Sequence, residues 1–152
     1  MVSANIVANN ILKRAFEENI PVTPMKLQKL LYLVFKQYLK DTGQILFSEP
    51  FMAWRYGPVV ESVYDEFKTY HADPITEYSK DSKGNSYIVD ENACPPFLLA
   101  IDTIWERYKM YNGIQLSNLT HKPGTAWDKA KKSQSMSLDI DDISDEPDVD
   151  NF

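Results

Sequence analysis

The chain has 152 residues, a length that suits one domain with a hydrophobic core of ordinary size. Its 22 acidic and 16 basic residues give a net charge of −6, but seven acidic residues and no Lys or Arg lie within residues 133–152. The rest of the chain is therefore nearly neutral, which argues against a nucleic-acid-binding protein, and the single cysteine excludes an intramolecular disulfide.

Helical periodicity predicts the first two helices at residues 3–18 and 24–40. Ser3 suits the N-cap of the first helix, and Thr23 suits that of the second because Pro24 favours the first helical position. The second helix is apolar over more than half of its circumference, so we expect it at the centre of the fold, packed on several sides.

The middle of the chain is less regular. Residues 44–56 form short apolar runs that fit either short strands or an extended loop, and Gly57 with Pro58 is predicted to open a third helix. A polar connection follows, in which the turn at residues 83–85 would allow a small hairpin that pairs residues 77–80 with residues 87–89.

The predicted helices near the C-terminus begin at residue 95 and continue with two short ones at residues 116–121 and 126–132. The acidic segment that follows contains apolar residues that could fold back onto the body, and we expect the last ten residues to be mobile. The fold class is therefore mainly α, a single compact domain of about five to six helices with room for a small β-hairpin. The helical domain spans residues 1–132, and the acidic tail spans residues 133–152.

Motifs for catalysis and metal binding are absent from the sequence. His71, Cys94 and His121 lack the spacing of a metal site, and the five glycines form no phosphate-binding loop. The acidic tail matches a calcium-binding loop poorly, because Ser144 stands where that loop needs glycine. We therefore expect no enzyme, no metal and no cofactor. The N-terminus has no signal segment and the longest apolar run is residues 30–35, so we expect a cytoplasmic protein without a membrane partner.

Aromatic and arginine side chains point instead to recognition. Trp54, Arg55 and Tyr56 are consecutive, and these three residue types dominate binding hot spots. The alternative interpretation places Trp54 in the core and pairs Arg55 with a carboxylate such as that of Glu61. His121 has the same two interpretations, a local hydrogen bond or a direct functional role.

Three short blocks in this order resemble the Panacea domain, also called the SocA-like or phage-associated GepA family. They are residues 25–32 (MKLQKLLY), residues 53–59 (AWRYGPV) and residues 116–121 (LSNLTH) followed by Trp127, and the resemblance covers about residues 5–132. The family resemblance implies a small helical protein that neutralises a co-encoded toxin by contact, without an active site or cofactor. We take the following as candidate partner-binding residues: Lys26, Gln28, Lys29, Trp54, Arg55, Tyr56, Glu61, His121 and Trp127.

The leading hypothesis is thus an antitoxin that binds a protein toxin, and its acidic tail could pair with a basic toxin surface. One alternative is a phage or mobile-element accessory or adaptor protein that binds a host protein. A DNA-binding regulator is a weaker alternative, since we do not expect nucleic acid as the partner. It depends on four lysines near the last two helices: Lys122, Lys129, Lys131 and Lys132. The sequence leaves the identity of the partner and the oligomeric state open.

Overall fold

The computed structural model describes residues 2–148 and contains mainly helices. A two-stranded antiparallel sheet lies between the second and third α-helices, and short 3-10 helices cover Lys68–Tyr70 and Glu91–Ala93. The α-helices and strands are α1 (Ala4–Glu18), α2 (Pro24–Thr42), β1 (Met52–Trp54), β2 (Gly57–Val59), α3 (Glu61–Phe67), α4 (Pro95–Tyr108), α5 (Gly113–Thr120), α6 (Ala126–Lys132) and α7 (Ile140–Asp145).

Helix α2 is the centre of the fold, as the sequence predicts. It packs against α1, α3, α4, α5 and α7 and against β2, and most of its side chains are buried. The Thr23 hydroxyl accepts a hydrogen bond from the Lys26 amide, and Gly43 ends the helix with a φ of 72°. Four rings from α2 and the following loop pack with centroids 4.9–5.7 Å apart: Tyr32, Phe35, Phe47 and Phe51.

Residues 44–59 form a loop followed by the β1–β2 hairpin. Trp54 pairs with Gly57 across a two-residue turn, so Gly57 and Pro58 belong to β2 and do not open a helix. The prediction of a helix start at Gly57 is therefore wrong. Gly57 has a φ of 116°, far from helical values, and α3 begins only at Glu61.

The hairpin at residues 77–89 does not form. Side chains of α1 bind this backbone instead, because Asn9 Nδ2 donates to the carbonyls of Ser79 and Tyr87 and Asn9 Oδ1 accepts from the Ser79 amide. Asn10 binds the amide and carbonyl of Val89 in the same two-point manner. Two buried asparagines thus satisfy backbone groups that a neighbouring strand would otherwise bind.

The acidic segment folds onto the body. Residues 136–138 run alongside β1, where the Ala53 amide donates to the Met136 carbonyl at 2.9 Å. Helix α7 follows and packs on α2 and α6, with Ile143 and Glu146 almost completely buried. Residues 143–146, which belong to the segment expected to be mobile, thus pack against the body, and residues 149–152 lie outside the described range. Helix α7 also brings the number of α-helices within residues 2–148 to seven, one more than the upper estimate from the sequence.

The two short helices α5 and α6 differ in how well the sequence predicts them. Helix α6 has the predicted bounds, and the Thr125 hydroxyl caps it. Helix α5 begins at Gly113, three residues before the predicted start, because Asn112 and Gln115 form a capping box.

Candidate partner-binding surface

The β1–β2 turn presents the aromatic and arginine residues that the sequence singles out. Tyr56 is 54% exposed, and the exposed guanidinium of Arg55 lies 5.3 Å from the centroid of the Tyr56 ring. Trp54 is half-buried and packs edge-on against Tyr64 of α3, with centroids 4.9 Å apart. The turn therefore carries two exposed contact groups, and the Trp54 ring joins it to α3.

Helices α5 and α6 hold the backbone of this turn. Trp127 Nε1 donates to the carbonyl of Trp54 at 2.6 Å, and the Ser117 hydroxyl donates to the carbonyl of Tyr56. His121 lies behind the turn, where its ring packs on Trp127 and its Nδ1 is 3.4 Å from the Ser117 hydroxyl oxygen. Trp127 and Ser117 thus hold the turn directly, and His121 packs against both of them.

Gly57 is required at the end of this turn for two reasons. Its φ of 116° is rarely adopted by residues with a side chain, and a Cβ there would lie 3.0 Å from the Thr120 hydroxyl oxygen and 3.1 Å from Lys29 Cε. The missing side chain lets the turn lie directly over α2 and α5.

A cavity of about 290 Å³ opens beside the turn, between α2 and α3. Its walls are mainly apolar, and the exposed residues Arg55 and Tyr56 and the buried residues Gln28 and Lys29 contribute to its lining. Its apolar walls include Met25, Leu27, Val59, Val63, Tyr64 and Phe67. The cavity is large enough to hold one aromatic or branched side chain.

Gln28 joins α2 to the strand–helix junction beside the cavity. Its Nε2 donates to the carbonyl of Val60 at 3.1 Å, and its Oε1 accepts from the Val60 amide at 3.0 Å. Both polar groups of the buried amide are therefore satisfied within the fold, which makes Gln28 a positioning residue for the cavity wall.

Lys29 is 1% exposed, and its amine donates to the carbonyl of Pro58 at 3.0 Å. Burial lowers the pKa of Lys29 to about 7, since desolvation disfavours the charged form. Lys26 is 5% exposed, its amine donates to the carbonyl of Lys109, and burial lowers its pKa as well. Lys26 lines a separate depression next to Lys109 and Met110.

The structure thus brings seven of the nine candidate residues together. Two candidates lie outside this group. Lys26 lines the depression next to Lys109, and Glu61 is exposed and lines another depression with Glu49 and Ser62. The seven around the turn and its cavity are Gln28, Lys29, Trp54, Arg55, Tyr56, His121 and Trp127. Tyr64 and Ser117 complete the arrangement but are not singled out by sequence, because only the fold shows that each contacts the turn.

Charged residues near α6 and α7 largely interact with one another. Lys132 pairs with Asp128 at 3.0 Å, Lys129 lies 3.8 Å from Asp142, and the Lys131 amine lies over the Trp127 ring. These contacts reduce the net positive charge of the lysine cluster, on which binding of DNA phosphates would depend.

Two kinds of feature are not found in the part of the chain that the structure describes. Across residues 2–148, no three His, Cys, Asp or Glu side chains are grouped so that they could hold a metal ion. Within the same residues, every helix is too short or too polar to cross a membrane.

Comparison with known proteins identifies relatives of the chain. A family model described as antitoxin SocA-like, Panacea domain, matches residues 27–128. The chain is also similar to antitoxin SocA of Caulobacter vibrioides (strain NA1000 / CB15N), with 33% identity over 145 residues. That alignment covers 91% of this chain and 76% of the relative, and no solved structure matches the chain significantly. The segment matched by the family model extends from Leu27 in α2 to Asp128 in the first turn of α6, and so contains the turn and most of the residues that line its cavity.

Proposed function

Because the chain belongs to the SocA-like Panacea family, we propose that it is an antitoxin that neutralises a co-encoded protein toxin by direct binding. The family match and the SocA relative support an antitoxin-type function. The site of binding is assigned to the β1–β2 turn and the adjacent cavity, which we call the turn surface. The observation that carries this assignment is the exposed pair Arg55 and Tyr56 beside an apolar cavity.

The turn surface has the properties of a protein-binding hot spot. Arg and Tyr provide large contact areas together with hydrogen-bonding groups, and the cavity can receive a side chain of the partner. The hydrogen bonds from Ser117 and Trp127 hold the turn before any partner arrives. A preordered loop binds more tightly because little conformational entropy is lost on association.

We also propose that neutralisation involves binding and no catalytic step. The candidate residues around the turn are aromatic, amide and cationic groups, which suit contact with a protein surface. A co-encoded toxin is the product of a neighbouring gene, so the genes next to this one identify it.

Co-expression tests the antitoxin function. The adjacent gene should stop growth when expressed alone, and growth should return when this protein is made with it. A variant with Tyr56→Ala should lose neutralisation, because the exposed ring is a proposed contact. The matched control is Tyr87→Ala, since Tyr87 is also 54% exposed but lies in the loop that α1 holds, away from the turn.

Binding of purified partners separates direct contact from indirect effects. Calorimetry should show a complex between toxin and wild-type protein, unchanged by Tyr87→Ala and weakened by Tyr56→Ala. The antitoxin function is rejected if no neighbouring gene is toxic. The turn surface is rejected if both tyrosine variants neutralise the toxin as well as the wild type does.

A further inference from the structure

The folded part of the acidic segment contacts two elements that carry or hold the turn surface. We call residues 136–146 the C-terminal strap. Its first residues pair with β1, and its last residue binds the start of α6. Leu138 and Ile143 of the strap are buried in the core. In the described part of the chain, no hydrogen bond or ion pair joins the strap to Arg55 or Tyr56, so any effect on the turn surface is exerted from behind it.

Residues 136–138 lie along β1 as a third extended segment. The Ala53 amide donates to the Met136 carbonyl at 2.9 Å, and the Leu138 amide donates to the Phe51 carbonyl at 2.8 Å. The strands β1 and β2 have three residues each, and a two-stranded hairpin is at best marginally stable in water without further packing. Pairing with the strap therefore helps to order the hairpin that carries the turn.

Helix α6 depends on its neighbours for its position. Its seven residues include two buried ones, Ala126 and Ala130, and these small side chains bury little apolar area. An isolated helix of this length is not stable in water. Contacts from other elements therefore decide where α6 lies, and the strap provides one of them through α7.

Glu146 fixes the start of α6 relative to α2. The first amides of a helix have no partner within it, and the amide of Ala126 donates to Glu146 Oε1 at 2.8 Å. The second oxygen of the same carboxylate pairs with Lys36 of α2. Trp127 is the next residue of α6, and its Nε1 donates to the carbonyl of Trp54 at the base of the turn. Three consecutive contacts thus connect α2 to the turn through the strap.

We propose that the C-terminal strap is a positioning segment for the turn surface and that Glu146 is the positioning residue within it. The carboxylate holds the start of α6, and α6 in turn holds the Trp54 carbonyl through Trp127. Loosening the strap should therefore displace the turn and weaken binding at Arg55 and Tyr56, although the strap itself does not have to contact the partner. This inference rests on the proposed function, because it assigns the strap a role in presenting the proposed binding surface.

Two double variants isolate the hydrogen bond between Glu146 and the Ala126 amide. Both contain Lys36→Met, so neither leaves an ammonium group buried without a partner. One adds Glu146→Gln, whose side-chain oxygen can still accept from the Ala126 amide, and the other adds Glu146→Leu, which cannot accept a hydrogen bond. Circular dichroism establishes that both full-length variants are folded before they are compared.

Hydrogen exchange of the indole N–H groups, followed by NMR, reports on the turn without any toxin. The Trp127 indole should exchange roughly five- to tenfold faster in the leucine variant than in the glutamine variant. The Trp105 indole is the internal control, because it donates to Glu18 of α1 at 2.6 Å and should exchange equally in both. Tyr32→Phe removes another hydrogen bond to the same carboxylate oxygen and should leave the Trp127 indole as in the wild type.

Calorimetry with the toxin from the neighbouring gene should then show a several-fold weaker complex for the leucine variant than for the glutamine variant. The proposal is overturned if the Trp127 indole exchanges equally in the two double variants, if the Trp105 indole is accelerated by the same factor, or if Tyr32→Phe has the same effect as leucine. Equal affinity of the two variants for the toxin would also overturn it, while leaving the antitoxin function intact. If no neighbouring gene is toxic, the antitoxin function fails, and faster exchange of the Trp127 indole still supports the positioning role of the strap.

Discussion

Glu146 Oε2 lies 2.8 Å from the amine nitrogen of Lys36, and both side chains are almost completely buried. The other carboxylate oxygen, Oε1, accepts hydrogen bonds from the Tyr32 hydroxyl at 2.9 Å and the Ala126 amide at 2.8 Å. One carboxylate thus joins the acidic segment to α2 and to the first turn of α6. Burial and the neighbouring Glu146 raise the pKa of Tyr32 well above its usual value, so Tyr32 is a stable donor.

Replacing this carboxylate should destabilise the whole protein. Glu146→Ala leaves the Lys36 ammonium buried without a partner, and we expect the free energy of unfolding to fall by about 3–5 kcal/mol. Urea unfolding measures the loss. Asp145→Ala is the control, because Asp145 is adjacent and exposed, and it should change stability by less than about 0.5 kcal/mol. The double variant Lys36→Met with Glu146→Gln should recover part of the loss, since no buried charge remains. Equal losses for the single and double variants would contradict this account.

The stability of the protein should depend on pH through Lys29. Its pKa is about 7 in the folded protein and 10.5 when unperturbed, so between these values the unfolded chain binds more protons. The free energy of unfolding should therefore rise with pH across this window, by on the order of 2 kcal/mol between pH 7 and pH 9. Below about pH 7 the lysine is charged in both states, and its contribution no longer changes.

Lys29→Met should remove this rise. Near pH 6 the variant should be as stable as the wild type or more stable, because it buries no charge. At pH 9 it should be less stable, because the Pro58 carbonyl loses its donor. Chemical unfolding of both proteins at pH 6, 7, 8 and 9 measures the difference, with Lys83→Met as the control for an exposed lysine. Parallel stability curves for wild type and Lys29→Met would exclude a strongly lowered pKa.

Gly57→Ala should be markedly more destabilising than the same change at Gly84. Both glycines have positive φ, so both substitutions introduce backbone strain of about 1 kcal/mol. Only at Gly57 does the new methyl group also meet neighbours at 3.0–3.1 Å, while Gly84 has open space around it. We expect an additional cost of roughly 1–3 kcal/mol at Gly57, measured by thermal or chemical unfolding. Equal costs would show that Lys29 and Thr120 move aside freely.

Asn9→Ala should loosen the loop at residues 79–87 as well as lower stability. The substitution leaves the buried Ser79 amide and carbonyl without their side-chain partner, at a cost of about 1–3 kcal/mol. Hydrogen exchange should show faster exchange of the Ser79 amide, whereas Asn92→Ala, at an exposed position, should leave it unchanged. Undiminished protection of Ser79 in the Asn9 variant would show that the loop is held by other contacts.

Trp127→Phe should weaken the proposed complex with a toxin, because the turn loses a hydrogen bond that holds it in position. Phenylalanine retains a ring to pack against His121 but lacks the Nε1 donor that binds the Trp54 carbonyl. We expect a loss of about 1 kcal/mol in stability and a several-fold weaker complex, measured by calorimetry. A complex of unchanged affinity would mean that the turn keeps its position without this hydrogen bond.

Much of the helical framework can be predicted from local sequence, because caps and periodicity depend on nearby residues. Thr23 with Pro24 and Thr125 mark the starts of α2 and α6 correctly, and the apolar periodicity of α2 identifies the central helix. The motif at residues 53–59 similarly marks the segment that presents Arg55 and Tyr56 to the surface. These features follow from chemistry within a few residues along the chain.

Other features were decided only by contacts between distant parts of the chain. The side-chain amides of Asn9 and Asn10 bind the backbone of residues 77–89 in place of a neighbouring strand, and Glu146 binds Lys36 and so holds the acidic segment against α2. The two partners in each of these contacts are separated by some 70 residues or more along the chain. Whether Lys29 is exposed or buried depends likewise on Pro58 and the turn above it. Sequence patterns report which side chains can bury apolar area or form hydrogen bonds. Only the folded chain determines which of them meet, because a buried polar group must form its hydrogen bonds with the groups that packing places next to it.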